Sequence, residues 1–365
     1  MVTKPDPGRR TVLRGGLTAT AAGALGLAAN GPADAAPARA SRRPAAGSPL
    51  AAAEPRIYST TEWGARPPSQ QIVVLDRVPT YIVVHHTAEP GNSEDYSLEH
   101  AMAICRSIQN FHMDGQGWGD SGQQFTNSRG GFVLEGRHQS LDAVRGGTRH
   151  VQGANVGGRN SEVIGIENEG LYTEVDVPAA LWNSLVQLVA WIATQYGRPV
   201  ADIMGHRDFN STECPGDVLY GRLRELRDAV AGALGVAPAD RPTVWPLLRP
   251  GAAGPQVRAA QYLLRARGFS DVPVDGVFGP DTKRAVMKLA DVHHVEKHTC
   301  AATVRGGTDE TGYLGSDIWP LITPKVRAGD NADVARAVTT LHRAGANRAH
   351  STGVLTATEW KHLLA

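Results

Sequence analysis

The sequence predicts an α/β fold, in which a central mixed sheet flanked by helices is followed by a small helical C-terminal module. A continuously apolar run, Tyr81–Val84, ends in two histidines and is typical of a central buried strand. Apolar residues recur at helical spacing from Pro178 to Tyr196, and Gly197 ends this predicted helix. Strands and helices that alternate along the chain favour an α/β domain.

The other elements are predicted from the same patterns. We expect helices over residues 98–113 and 217–234, and strands over residues 132–135 and 163–167. Residues 234–243 contain Pro and Ala and form the predicted linker to the second module. Beyond it, Thr311–Trp319 and Thr352–Trp360 keep Thr, Gly, Leu and Trp in register. This repeat predicts two related helical units, of which the second is shortened.

Length, charge and the N-terminus limit the classes of protein to consider. A chain of 365 residues has room for two domains, and a formal net charge of +1 argues against a nucleic-acid-binding protein. In residues 1–35, Arg9 and Arg10 precede a weakly apolar run and a small-residue cleavage site, which predicts a signal peptide. The arginine pair resembles a twin-arginine signal, and an ordinary signal is the alternative. Residues 36–56 are predicted to be a disordered linker.

Three separated segments contain zinc-type ligands. His85 ends the predicted strand, His206 lies in a Gly-His-Arg-Asp segment, and Cys214 lies in a Glu-Cys-Pro-Gly segment. Two imidazoles and a thiolate suit zinc, and three protein ligands leave a position for a catalytic water. Spacing alone is weak evidence for such a site, because these residues match no general zinc motif and most histidines are surface or core residues.

A series of short motifs runs in order through residues 57–233. They are Glu62–Arg66, Val83–Thr87, Arg106–Asp114, Gly117–Trp118, Val133–Arg137, Gly157–Asn160, Ile164–Ile166 and His206–Gly216. Together they resemble the peptidoglycan recognition protein family, which shares its fold with type 2 N-acetylmuramoyl-L-alanine amidases. The resemblance implies that His85, His206 and Cys214 bind Zn²⁺. It also favours an enzyme, since members that only bind peptidoglycan tend to lack the thiolate.

Two departures from the family pattern and one further resemblance bear on catalysis. Gln123 stands where the family's amidases have a tyrosine that assists at the metal, and Asn155 replaces a histidine that lines the groove; we expect both to contact substrate. Residues 165–170 resemble a segment of the cytosolic anhydromuropeptide amidases whose first glutamate is catalytic. We therefore predict Glu167 as the general base, with Thr212 helping to hold the oxyanion. A salt bridge for Glu167 and a turn-forming role for Thr212 are the alternatives.

The C-terminal module resembles a three-helix peptidoglycan-binding domain through its Asp-Gly-Val-Phe-Gly-Pro loop. We assign residues 244–322 to this domain and residues 323–365 to a degenerate second repeat that lacks the loop. Residues 288–310 form an insertion with three histidines and a cysteine, which is more typical of a polar loop than of a second metal site. Tethering this module to a catalyst would raise the local concentration of an insoluble substrate.

The resemblance implies a zinc-dependent hydrolase that cuts the amide bond between N-acetylmuramic acid and L-alanine of peptidoglycan. We expect a secreted or cell-wall-associated monomer, with no nucleic acid and no stable membrane association. A non-catalytic peptidoglycan-binding protein is the alternative, and a third function, a zinc peptidase, lacks the His-Glu-x-x-His helix. Asp208 is expected to be a structural loop carboxylate and Glu169 to face solvent. Cys105 and Cys300 either pair or are free buried thiols.

Overall fold

The structure is a computed structural model, and it describes residues 51–365 apart from 241, 298, 301, 304–307 and 352. The predicted signal peptide and most of the predicted linker over 36–56 lie outside the described residues. Among the helices that are described, none has the length and apolar character that a membrane crossing requires.

A mixed sheet forms the centre of the first domain, as predicted. The strands of this domain are β1 (Ile57–Tyr58), β2 (Val74–Leu75), β3 (Tyr81–His86), β4 (Phe125–Asn127), β5 (Val133–Glu135), β6 (His150–Val151), β7 (Val163–Asn168) and β8 (Ile203–Gly205). The order in the sheet is β1-β5-β4-β7-β3-β8, while β2 pairs with β6. The pair β4–β5 is antiparallel and the other neighbours in the large sheet are parallel. The strands β3 and β7 therefore each have a paired strand on both sides, which explains their apolar sequences.

Helices cover this sheet close to where the sequence predicts them. They are α1 (Leu98–Asn110), α2 (Ser140–Gly146), α3 (Ala179–Tyr196), α4 (Asp217–Gly221) and α5 (Leu223–Leu234). The buried apolar face of α3 packs in the same core as β3, β4 and β7, and Gly197 ends it at a positive φ of 59°. The prediction of a single helix over 217–234 is wrong, because the helix is interrupted at Arg222. The side chain of Arg222 pairs with Asp176 and Glu225.

A buried amide chain fixes the end of β3 relative to its neighbours. The Asn168 Nδ2 atom donates to the backbone oxygen of His85 at 2.8 Å, and Asn127 Nδ2 donates to Asn168 Oδ1 at 3.0 Å. Both asparagines are fully buried, so each lost bond would leave a costly unpaired polar atom. The backbone that carries His85 is therefore held rigidly.

The second module is helical and has one hydrophobic core. Its helices are α6 (Pro255–Ala266), α7 (Pro280–Val292), α8 (Trp319–Ile322), α9 (Ala332–Arg343) and α10 (Ala357–Leu364). Two short strand pairs accompany them: β9 (Thr299–Cys300) pairs with β10 (Thr308–Asp309), and β11 (Val326–Arg327) pairs with β12 (Val354–Leu355). The buried Trp319 Nε1 donates to the oxygen of Pro246, and Trp360 Nε1 donates to that of Pro324. These equivalent bonds support the predicted repeat. Because α6 packs on α9, both units contribute to the same core.

The second module is docked on the first domain. Backbone and side-chain hydrogen bonds cross the junction, including Ala302 N to Thr87 O at 3.0 Å and Ser316 Oγ to Arg207 O at 2.9 Å. Arg249 adds an ion pair to Glu213 at 2.8 Å. The linker therefore joins two domains in contact, whereas the sequence indicated only a tether.

Candidate metal centre

The three predicted zinc ligands meet at one edge of the sheet. His85 lies near the end of β3, and His206 directly follows β8, the parallel neighbour of β3, so both histidines lie at the strands' carboxyl ends. Cys214 approaches from the loop that follows. One ligand atom from each residue lies within 4.8 Å of the other two. The Nδ1 atom of His85 is 3.6 Å from the Cys214 sulfur, and the two imidazole centroids are 4.5 Å apart.

Neighbouring groups orient these side chains. The Nε2 atom of His206 hydrogen-bonds to Asn210 Oδ1 at 3.1 Å, which fixes the orientation of the ring. The backbone N–H of His86 donates to the Cys214 sulfur at 3.3 Å. A backbone donor of this kind favours the thiolate, the form that binds metal.

Burial keeps His85 and His86 neutral. It lowers the pKa of His85 to about 3, against a smaller opposing effect of the nearby Asn155 amide. The pKa of His86 also falls to about 3, because of burial and then the nearby charge of Arg207. Neutral imidazoles are the form that coordinates a metal. The donor set of two imidazoles and one cysteine sulfur thus fits zinc.

The sequence-predicted base, Glu167, lies beside the ligands. It is the register partner of His85 on the adjacent parallel strand, so the two side chains project from the same face of the sheet. Burial raises the pKa of Glu167 to about 8. The alternative of a salt bridge at the strand end finds no support, since no ion pair of Glu167 is present in the described part of the chain.

The other predicted site residues line the same cleft, which has a volume of about 360 Å³. Gln123 donates through Nε2 to Thr126 Oγ1 at 3.0 Å, which turns its amide towards the sheet. Asn155 donates through Nδ2 to the Gly122 oxygen at 2.9 Å and packs against Gly165, where a Cβ would lie 2.5 Å from the Asn155 oxygen. Asn155 therefore lines the cleft with its amide held in place by the Gly122 backbone.

Thr212 has a partner that sequence reasoning did not foresee. Its hydroxyl donates to Glu310 Oε1 of the second module at 3.0 Å, and its oxygen accepts from Cys214 N–H at 3.1 Å. With its proton directed to Glu310, Thr212 is not oriented as an oxyanion donor in this arrangement. The bond to Cys214 N–H instead shapes the turn, which is close to the alternative interpretation of Thr212.

The comparisons with known proteins concern mainly this first domain. A family profile described as N-acetylmuramoyl-L-alanine amidase matches residues 75–217, and one described as putative peptidoglycan binding domain matches residues 253–289. Peptidoglycan-recognition protein SC2 of Drosophila melanogaster is 33% identical over 172 residues, which cover 46% of this chain and 84% of that relative. The chain belongs to the peptidoglycan-recognition protein family. Its C-terminal half carries a peptidoglycan-binding domain.

Two mammalian relatives match over a smaller share of their length. Human N-acetylmuramoyl-L-alanine amidase is 33% identical over 173 residues, covering 47% of this chain but only 28% of the human protein. The chain spans 27% of the corresponding pig protein. Among solved structures, wild-type Drosophila PGRP-LB is 25% identical, with 51% of this chain and 98% of that chain covered and a TM-score of 0.41.

Several residues of the cleft were not singled out as functional from the sequence. His112 and Trp118 line it with their rings tilted against each other and the centroids 4.6 Å apart, and both occur in the family motifs. The second module contributes Glu296, Lys297 and Glu310. No sequence signal identifies these three residues, because they lie beyond residue 217, where the match to the amidase profile ends. Only the docking of the second module brings them to the cleft.

The structure also tests the predictions made for single acidic residues and cysteines outside the proposed site. Asp208 is structural as predicted, since it accepts from Gly205 N–H at 2.8 Å and from the Tyr220 hydroxyl at 2.5 Å. The solvent-facing assignment of Glu169 is wrong: the residue is 1% exposed and pairs with His100 at 2.7 Å. Cys105 is a free buried thiol, and burial raises its pKa to about 12. The side chain of Cys300 lies outside what the structure describes.

Proposed function

We propose that this protein is a zinc-dependent amidase that hydrolyses the bond between N-acetylmuramic acid and L-alanine of peptidoglycan. The observation that carries the proposal is the meeting of His85, His206 and Cys214 in a cleft that also contains a buried carboxyl. A site that only binds glycan and peptide has no need for a cysteine sulfur beside two imidazoles. Membership of a family whose profile carries the amidase description supports the same conclusion.

His85, His206 and Cys214 would hold the metal and leave one position open. When bound there, zinc would supply the activation of a water molecule and the polarisation of the amide carbonyl. The Asn210 side chain holds the His206 imidazole in place, and the His86 N–H donates to the Cys214 sulfur, which favours the metal-binding thiolate. These contacts preorganise the ligands, so little conformational freedom is lost when the metal enters.

Glu167 carries the proton in this mechanism. The carboxylate accepts a proton from the attacking water as the water oxygen bonds to the lactyl carbonyl carbon. It then gives that proton to the alanine nitrogen as the carbon–nitrogen bond breaks, so the products are a carboxylic acid and a free amine. A pKa of about 8 suits this exchange, because a carboxyl that titrates near neutrality both takes up and releases protons readily.

Digestion of purified peptidoglycan by wild-type protein and Cys214→Ser tests the proposal. Zinc stoichiometry and new amino groups are measured on the same samples. Wild type should bind one zinc and release stem peptides whose N-terminal residue is alanine, whereas Cys214→Ser should lose most zinc and turnover. Cys105→Ala is the matched control, since it removes the other described thiol without touching the cleft, and it should behave like wild type. Amines that appear at a residue other than alanine would identify a peptidase instead.

A non-catalytic peptidoglycan-binding protein is the second candidate, and Gln123 favours it. At this position the side chain cannot titrate, and its amide is bonded to Thr126. Under this alternative, wild type would bind peptidoglycan and zinc without releasing any stem peptide. Retained binding by Cys214→Ser with no turnover in either protein would establish it.

We also propose that the protein works outside the cytoplasm, on cell walls, as a monomer. The signal-like order of residues 1–35 supports export, and the arginine pair supports the twin-arginine route. The matched peptidoglycan-binding domain supports attachment to the polymer. Replacing Arg9 and Arg10 with lysines should leave the protein inside the cells, and secretion at the normal level would refute the twin-arginine route.

A further inference from the structure

The second module forms part of the wall of the candidate catalytic cleft. Glu296, Lys297, Ala302 and Glu310 all line it, together with the ligands of the first domain. Ala302 also packs in a small apolar cluster with Ile104 and Ile108 of α1. The cleft is therefore built by two domains, and its shape depends on their docking.

The contacts of the second module concentrate on the segment Arg207–Glu213, which connects His206 to Cys214. Ser316 Oγ donates to Arg207 O at 2.9 Å, and Gly315 N–H donates to Ser211 Oγ at 2.8 Å. The segment thus lies between two of the three ligands and is held from outside its own domain.

Glu310 makes the most direct of these contacts. It is 2% exposed, and one carboxylate oxygen, Oε1, accepts from the Thr212 hydroxyl at 3.0 Å and from Glu213 N–H at 2.6 Å. The Thr212 oxygen in turn accepts from Cys214 N–H at 3.1 Å. A short chain of hydrogen bonds therefore runs from Glu310 to the backbone of the metal-ligating cysteine. Bonds to a carboxylate are stronger than neutral ones, particularly when buried.

We propose that Glu310 is a positioning residue of the metal site, through which the docked second module fixes the turn that carries Cys214. This inference rests on the proposed function only in assigning zinc to the three ligands. Glu310 acts through Thr212 and Glu213 and does not itself touch the reacting atoms. The site is complete only when the two domains are docked.

The test compares zinc affinity and kinetics of the full mature chain with those of Glu310→Ala, Glu310→Gln and Thr303→Val. Competition with a chromophoric chelator gives the zinc dissociation constant. Glu310→Ala should weaken zinc binding about tenfold, the scale typical of losing a group that orients a metal ligand. It should also lower kcat more than it changes KM. Glu310→Gln should restore most of both, because an amide oxygen can accept the same two bonds.

Thr303→Val is the matched control. Thr303 belongs to the same segment of the second module and donates to the Glu89 oxygen at 2.9 Å, away from the Cys214 turn. Its zinc affinity and its kcat should equal those of wild type. In the cobalt-substituted proteins, the thiolate-to-cobalt absorption band should shift in Glu310→Ala and remain unchanged in Thr303→Val.

Two results would overturn the proposal. One is unchanged zinc affinity in Glu310→Ala, and the other is a higher kcat, which would make Glu310 an obstruction in the cleft. If Glu310→Ala does not fold, Glu310→Asp serves, because the shorter side chain cannot reach both donors and should weaken zinc binding severalfold. Failure of the amidase proposal can be distinguished from failure of this one. In that case wild type would show no turnover, while the zinc dissociation constants would still test the role of Glu310.

Discussion

The buried carboxyl of Glu167 should make the metal-free protein less stable as pH rises. Its pKa in the folded protein is about 8 against an ordinary value of 4.5, because burial disfavours the charged form. The folded state therefore binds this proton more tightly than the unfolded state does. The stabilisation is fully present below pH 4.5 and is lost as pH rises towards 8.

The magnitude follows from the separation of the two pKa values. Each unit of separation crossed is worth about 1.4 kcal/mol, so the loss should reach roughly 3 kcal/mol at pH 7 and approach roughly 5 kcal/mol above pH 8. Glu167→Gln keeps the shape of the side chain and has no proton to lose. The difference in free energy of unfolding between wild type and Glu167→Gln should therefore change by roughly 3 kcal/mol between pH 4 and pH 7.

Urea unfolding of the chelator-treated proteins, followed by tryptophan fluorescence at a series of pH values, measures this difference. Other titrating groups are common to both proteins and cancel. Saturating zinc should shrink the pH dependence, because a nearby dication favours the carboxylate form. A difference that stays constant across the pH range in the metal-free proteins would refute the assignment of Glu167 as a buried neutral acid.

Three other substitutions test the supports of the site and of the second module. Asn210→Ala removes the acceptor that orients the His206 ring and should weaken zinc binding about tenfold in chelator competition; wild-type affinity would exclude this role. Gln124→Leu leaves the buried Gly165 N–H, now bonded at 2.7 Å, without its acceptor, and should destabilise the domain by about 1–3 kcal/mol in urea unfolding. Trp360→Ala should cost about 3–5 kcal/mol, and a smaller loss would show that the second helical unit contributes little to the shared core.

Much of the metal centre can be predicted from the sequence, because each ligand lies in a short segment with a recognisable local pattern. The apolar run before His85 predicts a central strand, and the strand is there as β3. The ligands themselves come together through parallel pairing of β3 and β8, which no local pattern encodes. For this reason the spacing of the three ligands along the chain was weak evidence for a metal site. The ordered family motifs are stronger evidence, because they imply the whole fold that brings the ligands together.

Burial of polar groups was harder to predict. Glu169 directly follows β7 and looks like an acid at an exposed strand end. In the structure His100 from α1 covers it and Arg129 N–H donates to its second oxygen at 2.9 Å. Both partners are distant in sequence, so alternation along the strand contains no information about them.

Docking of the second module gives the greatest departure from what the sequence indicates. The pattern of residues 234–243 is that of a linker, and a linker permits any relative position of its domains. The structure instead joins the domains through Glu310, Gly315 and Ser316, which all contact the chain between His206 and Cys214. In this chain a domain of the peptidoglycan-binding type holds this segment, so a force that displaces that domain would also act on the metal ligands.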